Sequence, residues 1–169
     1  TPAADNCLTS TEVKLYLKED QSANDSLIAT QLDAAEAMVE AYTNRKLMKA
    51  VYDFKLSAWP KSIVLPASPV ISVDSVKYYD GSNVLQTWAS SNYFVNVSSE
   101  PTVIEYIDSV PDTYEDRQDR IIVQFTVGYS SSATTTTQQA AVPGALKQSI
   151  LRLIGDLYAV RQDQVREKF

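Results

Sequence analysis

Four carboxylates lie close together in the run Pro-Asp-Thr-Tyr-Glu-Asp-Arg-Gln-Asp, which spans residues 111–119. They are Asp112, Glu115, Asp116 and Asp119. Paired carboxylates can hydrolyse glycosidic bonds or bind Mg²⁺, so a small hydrolase is one hypothesis for this chain. A short charged run after a proline is also typical of an exposed loop between strands, where the carboxylates are solvated. We favour the solvated loop, with no catalytic or metal role.

Other residue types that catalysis commonly needs are scarce. The chain has no histidine and only four glycines. Since histidine is the commonest general base and metal ligand, Ser-His-Asp and Cys-His mechanisms are excluded, and so are most zinc sites. Neither a Walker pattern nor a dinucleotide-binding pattern occurs. Nucleotide chemistry is therefore not expected of this chain.

Charge and composition limit the partners. The net charge of −6 argues against tight binding to a DNA duplex, because Lys and Arg contacts to phosphate supply most non-specific affinity. An acidic wall can still line a channel, where repulsion keeps a passing duplex from sticking. No apolar run approaches the ~20 residues of a membrane span, and the amino end lacks the apolar stretch of a signal peptide. We expect a cytoplasmic protein whose single cysteine, Cys7, is a spare thiol on a loose terminus.

Helical patterns occur at both ends of the chain. Thr9 or Ser10 can cap a first helix over residues 9–19. A second helix is predicted over residues 25–45, since one face carries apolar side chains at spacings of three and four. A third is predicted over residues 143–161, after Pro143. The apolar face of the second helix comprises Ile28, Leu32, Ala35, Val39 and Tyr42, and the face expected in solvent carries Asp33, Glu36 and Glu40.

The middle of the chain has the alternation and β-branched content of strands. Asp80-Gly81 is a strong hairpin signal, because a positive φ costs glycine little. We predict an α+β fold: a helical body of two N-terminal helices and one C-terminal helix, packed with one small antiparallel β-sheet or barrel. The predicted strands within the β region of residues 51–127 are 51–56, 63–65, 70–79, 84–88, 93–97, 103–107 and 121–127.

Residues 128–141 are rich in serine and threonine and offer little to bury, so they are predicted to form a flexible loop. At 169 residues the chain fits one domain, which we place at residues 1–162, followed by a charged C-terminal tail at 163–169.

Five segments in register resemble the head-tail connector, or adaptor, family of tailed bacteriophages and gene transfer agents. The first includes Leu8-Thr9-Ser10-Thr11-Glu12, the fourth is Phe125-Thr126-Val127-Gly128-Tyr129, and the last begins Val142-Pro143. The resemblance spans roughly residues 8–161. The chain departs from the family in the longer connection after Gly128-Tyr129. In full, the segments are 8–14, 34–45, 65–80, 125–129 and 142–161.

The resemblance implies a structural virion protein of the neck, at the head-tail interface, that is assembled in the host cytoplasm. Such a protein is not an enzyme and uses no cofactor. Such a protein docks as a twelve-fold ring beneath the portal after packaging and joins the DNA-filled head to the tail. The ring extends the DNA channel without specific DNA binding and without a membrane, and it receives the next tail-side connector or stopper protein.

The family's helices form the body of the ring, and its carboxyl-terminal segment reaches toward the portal. Carried onto this chain, the resemblance gives two sets of candidate contact residues. The portal-docking candidates are Arg161, Gln162, Val165, Arg166 and Phe169. The loop candidates, for a subunit or tail-side contact, are Ser130, Ser131, Thr135 and Thr136.

A second hypothesis from another class is a non-catalytic carbohydrate- or surface-binding β module. Trp59, Trp88 and the tyrosine-rich strands suggest it, because aromatic platforms bind sugars by stacking. It leaves the long helices unexplained.

Overall fold

A computed structural model describes residues 5–166, with side chains described through residue 160 in the last helix. The described residues form four α-helices and seven strands. The helices are α1 (Ser10–Leu17), α2 (Asp25–Thr43), α3 (Thr135–Ala141) and α4 (Gly144–Arg166). None of the helices found in this part of the chain is long and apolar enough to span a membrane.

Helices α1, α2 and α4 pack against one another and form the helical half of the molecule. Thr9 caps α1 as predicted, and its hydroxyl and the Glu12 carboxylate complete a capping box. The core between these helices is mainly aliphatic, and Ile28, Ile150 and Ile154 are fully buried in it. The first and the last helix of the described residues therefore share one core.

The strands form two antiparallel sheets. The predicted α+β class is confirmed, but the prediction of one sheet or barrel is wrong, because there are two sheets. One sheet has the order β1-β7-β3-β4 and the other β2-β6-β5. Their inner faces share one core, which includes Phe125 of the first sheet and Ile104 of the second. The strands are β1 (Ala50–Leu56), β2 (Ile63–Val64), β3 (Val70–Tyr79), β4 (Leu85–Trp88), β5 (Tyr93–Asn96), β6 (Val103–Tyr106) and β7 (Ile121–Val127).

The β3–β4 hairpin forms where the Asp80-Gly81 signal placed it, but by a different turn. The positive φ, 61°, belongs to Asn83 and not to Gly81. The Asp80 carboxylate accepts hydrogen bonds from the backbone N–H groups of Ser82 and Val84, both at 3.0 Å. An aspartate that bonds the backbone two residues on can set such a turn, and asparagine tolerates the left-handed conformation.

The predicted flexible loop at residues 128–141 is only partly a loop, because residues Thr135–Ala141 form the helix α3. Its polar sequence gives little intrinsic support to a helix, and long-range hydrogen bonds hold it instead. Gln138 accepts from the Lys49 backbone N–H at 3.0 Å, and Gln139 donates to the Asn6 carbonyl at 2.8 Å. Helices this short depend on tertiary contacts of this kind.

The helical and β halves meet at Gly128, which follows β7. Its φ is +125°, and a Cβ there would lie 3.0 Å from the Lys49 N and Cα and the Met48 carbonyl oxygen. Only glycine adopts this conformation readily and lets the two backbones approach so closely. Close by, Arg45 donates to the Tyr129 hydroxyl at 3.3 Å. The junction therefore depends on backbone geometry and polar contacts.

Candidate functional site

The acidic run does not assemble a catalytic site. Asp112, Glu115 and Asp116 are exposed, while Asp119 accepts two hydrogen bonds from Arg117 at 3.0 Å. The bonds from Arg117 hold the pKa of the Asp119 carboxyl below its ordinary value. Within the described residues, no three histidine, cysteine, aspartate or glutamate side chains are grouped to hold a metal ion. The solvated-loop interpretation therefore fits the structure better than the hydrolase hypothesis.

The tryptophans and tyrosines form a cluster inside the β core and not a sugar-binding platform. The ring centroids of Trp59 and Trp88 lie 4.9 Å apart, and Tyr106 is edge-on to both, at 5.7 and 5.5 Å. The Trp59 indole N–H donates to the Pro111 carbonyl at 3.0 Å. Offset and edge-on rings at these distances stabilise a core. The carbohydrate hypothesis required these rings to be exposed for stacking on a sugar, and they are instead packed against one another.

Residues Asp5 to Leu8 form an ordered strap across the helical half. Asn6 donates to the Asp33 carboxylate at 2.7 Å, and the Cys7 backbone N–H donates to both Glu36 oxygens at 3.1 and 3.2 Å. Cys7 is fully buried. The expectation of a thiol on a loose terminus is therefore wrong, because this strap packs into the helical core.

Glu36 was predicted to face solvent, yet its side chain is only 7% exposed. Burial raises the pKa of its carboxyl from 4.5 to about 7, and the backbone N–H of Cys7 lowers it in part. Burial also raises the pKa of the Cys7 thiol to about 12. A buried carboxylate is tolerated where backbone donors satisfy it, which the helical pattern of α2 cannot reveal.

The loop candidates serve different contacts. The Ser130 hydroxyl accepts from the Ser132 backbone N–H at 3.2 Å, and the Ser131 carbonyl accepts from Lys49 Nζ at 2.8 Å. Thr135 donates to the Asp5 carboxylate at 2.7 Å, and Thr136 is exposed on α3. Three of the four thus take part in contacts within the chain, and the side chains of Ser131 and Thr136 are exposed.

Four of the five portal-docking candidates lie at the carboxyl end of α4. The helix includes Arg161, Gln162, Val165 and Arg166, whose side chains lie outside the described residues, as does all of Phe169. Tyr158 is the last described side chain that is buried, and its hydroxyl donates to Glu19 at 2.5 Å. The predicted end of this helix at residue 161 is too early, because α4 continues to Arg166.

The helical half has apolar surface that the sequence analysis did not single out. Leu15 on α1 is 81% exposed, and on α2 Met38 and Tyr42 are 53% and 93% exposed. Tyr42 was predicted to be buried, since it continues the apolar face of α2. The exposure of an apolar residue here could have been predicted from the run Leu15-Tyr16-Leu17. Three consecutive residues of a helix cannot all face one core.

Met38 and Tyr42 line an open groove of about 600 Å³ between α2 and α4. Leu146 and Leu153 continue its apolar lining on α4, and Arg152 and Asp156 add one charge of each sign. A concave apolar surface with a few charged groups is a common form of protein-binding site.

Residues 9–121 match the family of phage gp6-like head-tail connector proteins. The chain belongs to this family, and the resemblance noted in its sequence is confirmed. It is accordingly a head-tail connector, a structural protein and not an enzyme. None of the curated proteins matches the chain in sequence.

Solved structures share the fold over almost the whole chain. A chain from the neck of an empty gene transfer agent particle, computed with C6 symmetry, matches with a TM-score of 0.74 at 22% identity. A chain from the virion of a native gene transfer agent particle gives 0.73 at 22% identity. Each match covers 94% of this chain and 83% of the other.

A third match is to the neck of a native gene transfer agent particle computed with C12 symmetry. Its TM-score is 0.66 at 21% identity, and it covers 94% of this chain and 82% of the other. At such identities the likeness establishes the fold.

Proposed function

We propose that this connector docks as a twelve-fold ring beneath the portal in the neck of a virion. There it extends the DNA channel and joins the filled head to the tail. Its other partner is the next tail-side connector or stopper protein. Family membership carries the proposal, and the matched chain in a neck computed with C12 symmetry supports the ring.

The carboxyl end of α4 is the segment we assign to the portal. Beyond Tyr158 the helix continues for eight residues, to Arg166, which at 1.5 Å per residue extends it by about 12 Å. The two residues after Tyr158, Ala159 and Val160, are exposed. This extension holds four of the five portal-docking candidates, Arg161, Gln162, Val165 and Arg166, and precedes the fifth, Phe169.

DNA passes this ring without specific binding. The chain carries 21 acidic against 15 basic residues, so its average field repels phosphate. A repulsive channel wall lets a duplex slide past, because no array of Lys and Arg contacts holds it. The loop candidates Ser130, Ser131, Thr135 and Thr136 are assigned to a subunit or tail-side contact, and of these Ser131 and Thr136 are exposed.

Light scattering and negative-stain electron microscopy of the protein with its portal test the proposal. We expect rings stacked on the portal with the wild-type chain, and loss of stacking when Gln162 to Phe169 are removed. The matched control is Val84→Glu, an exposed residue of the β3–β4 hairpin, which should leave stacking unchanged. A wild-type protein that ignores the portal would refute the proposed function.

A further inference from the structure

A ring with cyclic symmetry needs two different surfaces on each copy that fit one another, because its contacts are head-to-tail. The helical half offers such a pair. One member is Leu15 of α1, which at 81% is the most exposed large aliphatic side chain described in α1, α2 and α4. The other is the concave groove between α2 and α4, lined by Met38, Tyr42 and Leu153.

These two features lie on different sides of α4. Tyr16 of α1 packs against Gly155, where an added Cβ would be 3.4 Å from the tyrosine ring. Leu153 lines the groove toward α2. At 100° per residue, two positions along a helix place Leu153 and Gly155 about 160° apart around the α4 axis. One copy can therefore present Leu15 to a neighbour on one side while its groove receives a neighbour on the other.

We propose that Leu15 of one copy inserts into the α2–α4 groove of the next copy. This inference rests on the ring proposed above and assigns the two surfaces through which neighbouring copies contact each other. Burying Leu15, Met38 and Tyr42 in this contact removes apolar surface that the single chain leaves in water, which favours association.

Charges beside the apolar residues select the orientation. Glu12 and Lys18 lie one turn before and after Leu15, and both are exposed. The groove carries Arg152 and Asp156, one turn apart. In one direction of insertion Glu12 meets Arg152 and Lys18 meets Asp156, whereas the reverse direction brings like charges together. Opposed charges at an interface fix its register in this way.

Cross-linking of cysteine variants on the portal tests this contact. The chain has one cysteine of its own, Cys7, whose buried thiol is not available to a reagent. With a short bismaleimide, Leu15→Cys/Tyr42→Cys should give a ladder of covalent oligomers. Each single variant should stay monomeric, and a mixture of the two singles should stop at dimers.

The pattern separates the alternatives. Dimers from a single variant would mean a two-fold contact between identical surfaces, and would overturn the proposal. The same holds if the double variant gives no ladder while the wild-type ring forms on the portal, since another partner then covers the groove. If the wild-type chain forms no ring on the portal, the proposed function itself is refuted. That outcome differs from a ring that forms without the Leu15–groove contact, so the two proposals are tested separately.

Charged substitutions provide a second readout. Leu15→Glu and Tyr42→Glu should each weaken ring formation on the portal by about tenfold or more, equivalent to about 1.4 kcal/mol. Val84→Glu makes the same kind of change on an exposed residue of the β half and should form rings like the wild type. Unfolding temperatures should match among the three variants, and rings of normal stability from Leu15→Glu would contradict the proposal.

Discussion

The two cores of this molecule are built differently. The β core is closed by packed aromatic rings, and its buried residues carry no ionisable carboxyl group. The helical core is aliphatic, and beside it the buried Glu36 holds the strap through the Cys7 backbone. Apolar packing gives stability that does not vary with pH, whereas a buried carboxyl makes stability depend on its protonation. The comparison indicates a β core whose apolar packing does not respond to pH, joined to a helical half in which the buried Glu36 makes stability depend on pH.

The largest expected effect is in the β core. Phe125→Ala removes a ring that is fully buried in the central strand β7, and we expect a loss of about 3–5 kcal/mol in the free energy of unfolding. The loss should be the same at pH 5 and pH 8. Urea titrations at both pH values measure it. A loss that differs strongly between them would break the proposed contrast between the cores.

Glu36→Gln tests the helical half. The carboxyl pKa is raised to about 7 in the folded state from 4.5, so the folded chain binds more protons than the unfolded chain between these values. Wild-type stability from this group is therefore present below pH 4.5 and falls as the pH rises through about 7. At pH 8 the variant should be more stable than the wild type, by at most about 3 kcal/mol.

Urea titrations from pH 4 to pH 8 measure the difference between variant and wild type. Glu105→Gln, an exposed change on β6, is the matched control and should leave the pH profile unchanged. A Glu36→Gln profile parallel to that of the wild type would show that the buried carboxyl does not control the pH response.

The junction between the halves should be the next most sensitive place. Gly128→Ala introduces a Cβ against the Lys49 backbone at a φ of +125°, and we expect it to cost about 1–3 kcal/mol. Gly81→Ala meets nothing within 4 Å and should change stability by less than about 0.5 kcal/mol. Thermal unfolding of the two variants measures the difference in stability. Equal unfolding temperatures would mean that the backbone at the junction can shift to accept the Cβ at little cost.

The smallest expected effect concerns the start of α1. Thr9→Ala removes the hydroxyl that accepts from the Glu12 backbone N–H, while the Thr9 backbone N–H can still donate to the Glu12 carboxylate. We expect a loss of about 1 kcal/mol. Thr11→Ala, an exposed residue of the same helix, is the control. Denaturant unfolding followed by far-UV circular dichroism would register the difference. No difference between the two variants would show that the cap contributes little to the fixed position of α1.

Much of the fold could be predicted where the pattern is local. The bounds of β3 and β7 match the prediction, since β-branched runs and flanking turns mark them. The division into two sheets could not be predicted from the sequence, because the second sheet depends on the pairing of β2 with β6, which lies far along the chain. Helix α3 was missed for the same reason: its hydrogen bonds reach Asp5, Asn6 and Lys49, which no local window contains.

The candidate site was less predictable than the fold. Periodicity identified the apolar face of α2, but it could not show that α4 leaves Tyr42 uncovered while Ile28 is buried. Nor could it show that a backbone N–H from the strap reaches Glu36. Whether a residue is buried depends on which element packs above it, and that is decided by tertiary contacts, not by spacing.

A cryo-electron microscopy map of the wild-type chain bound to its portal tests the account most directly. The account predicts twelve copies in a ring, with the carboxyl end of α4 on the portal. Within the ring, α1 of each copy should contact the α2–α4 groove of the next. A ring held together only by the β halves, or one whose α4 ends point away from the portal, would contradict it.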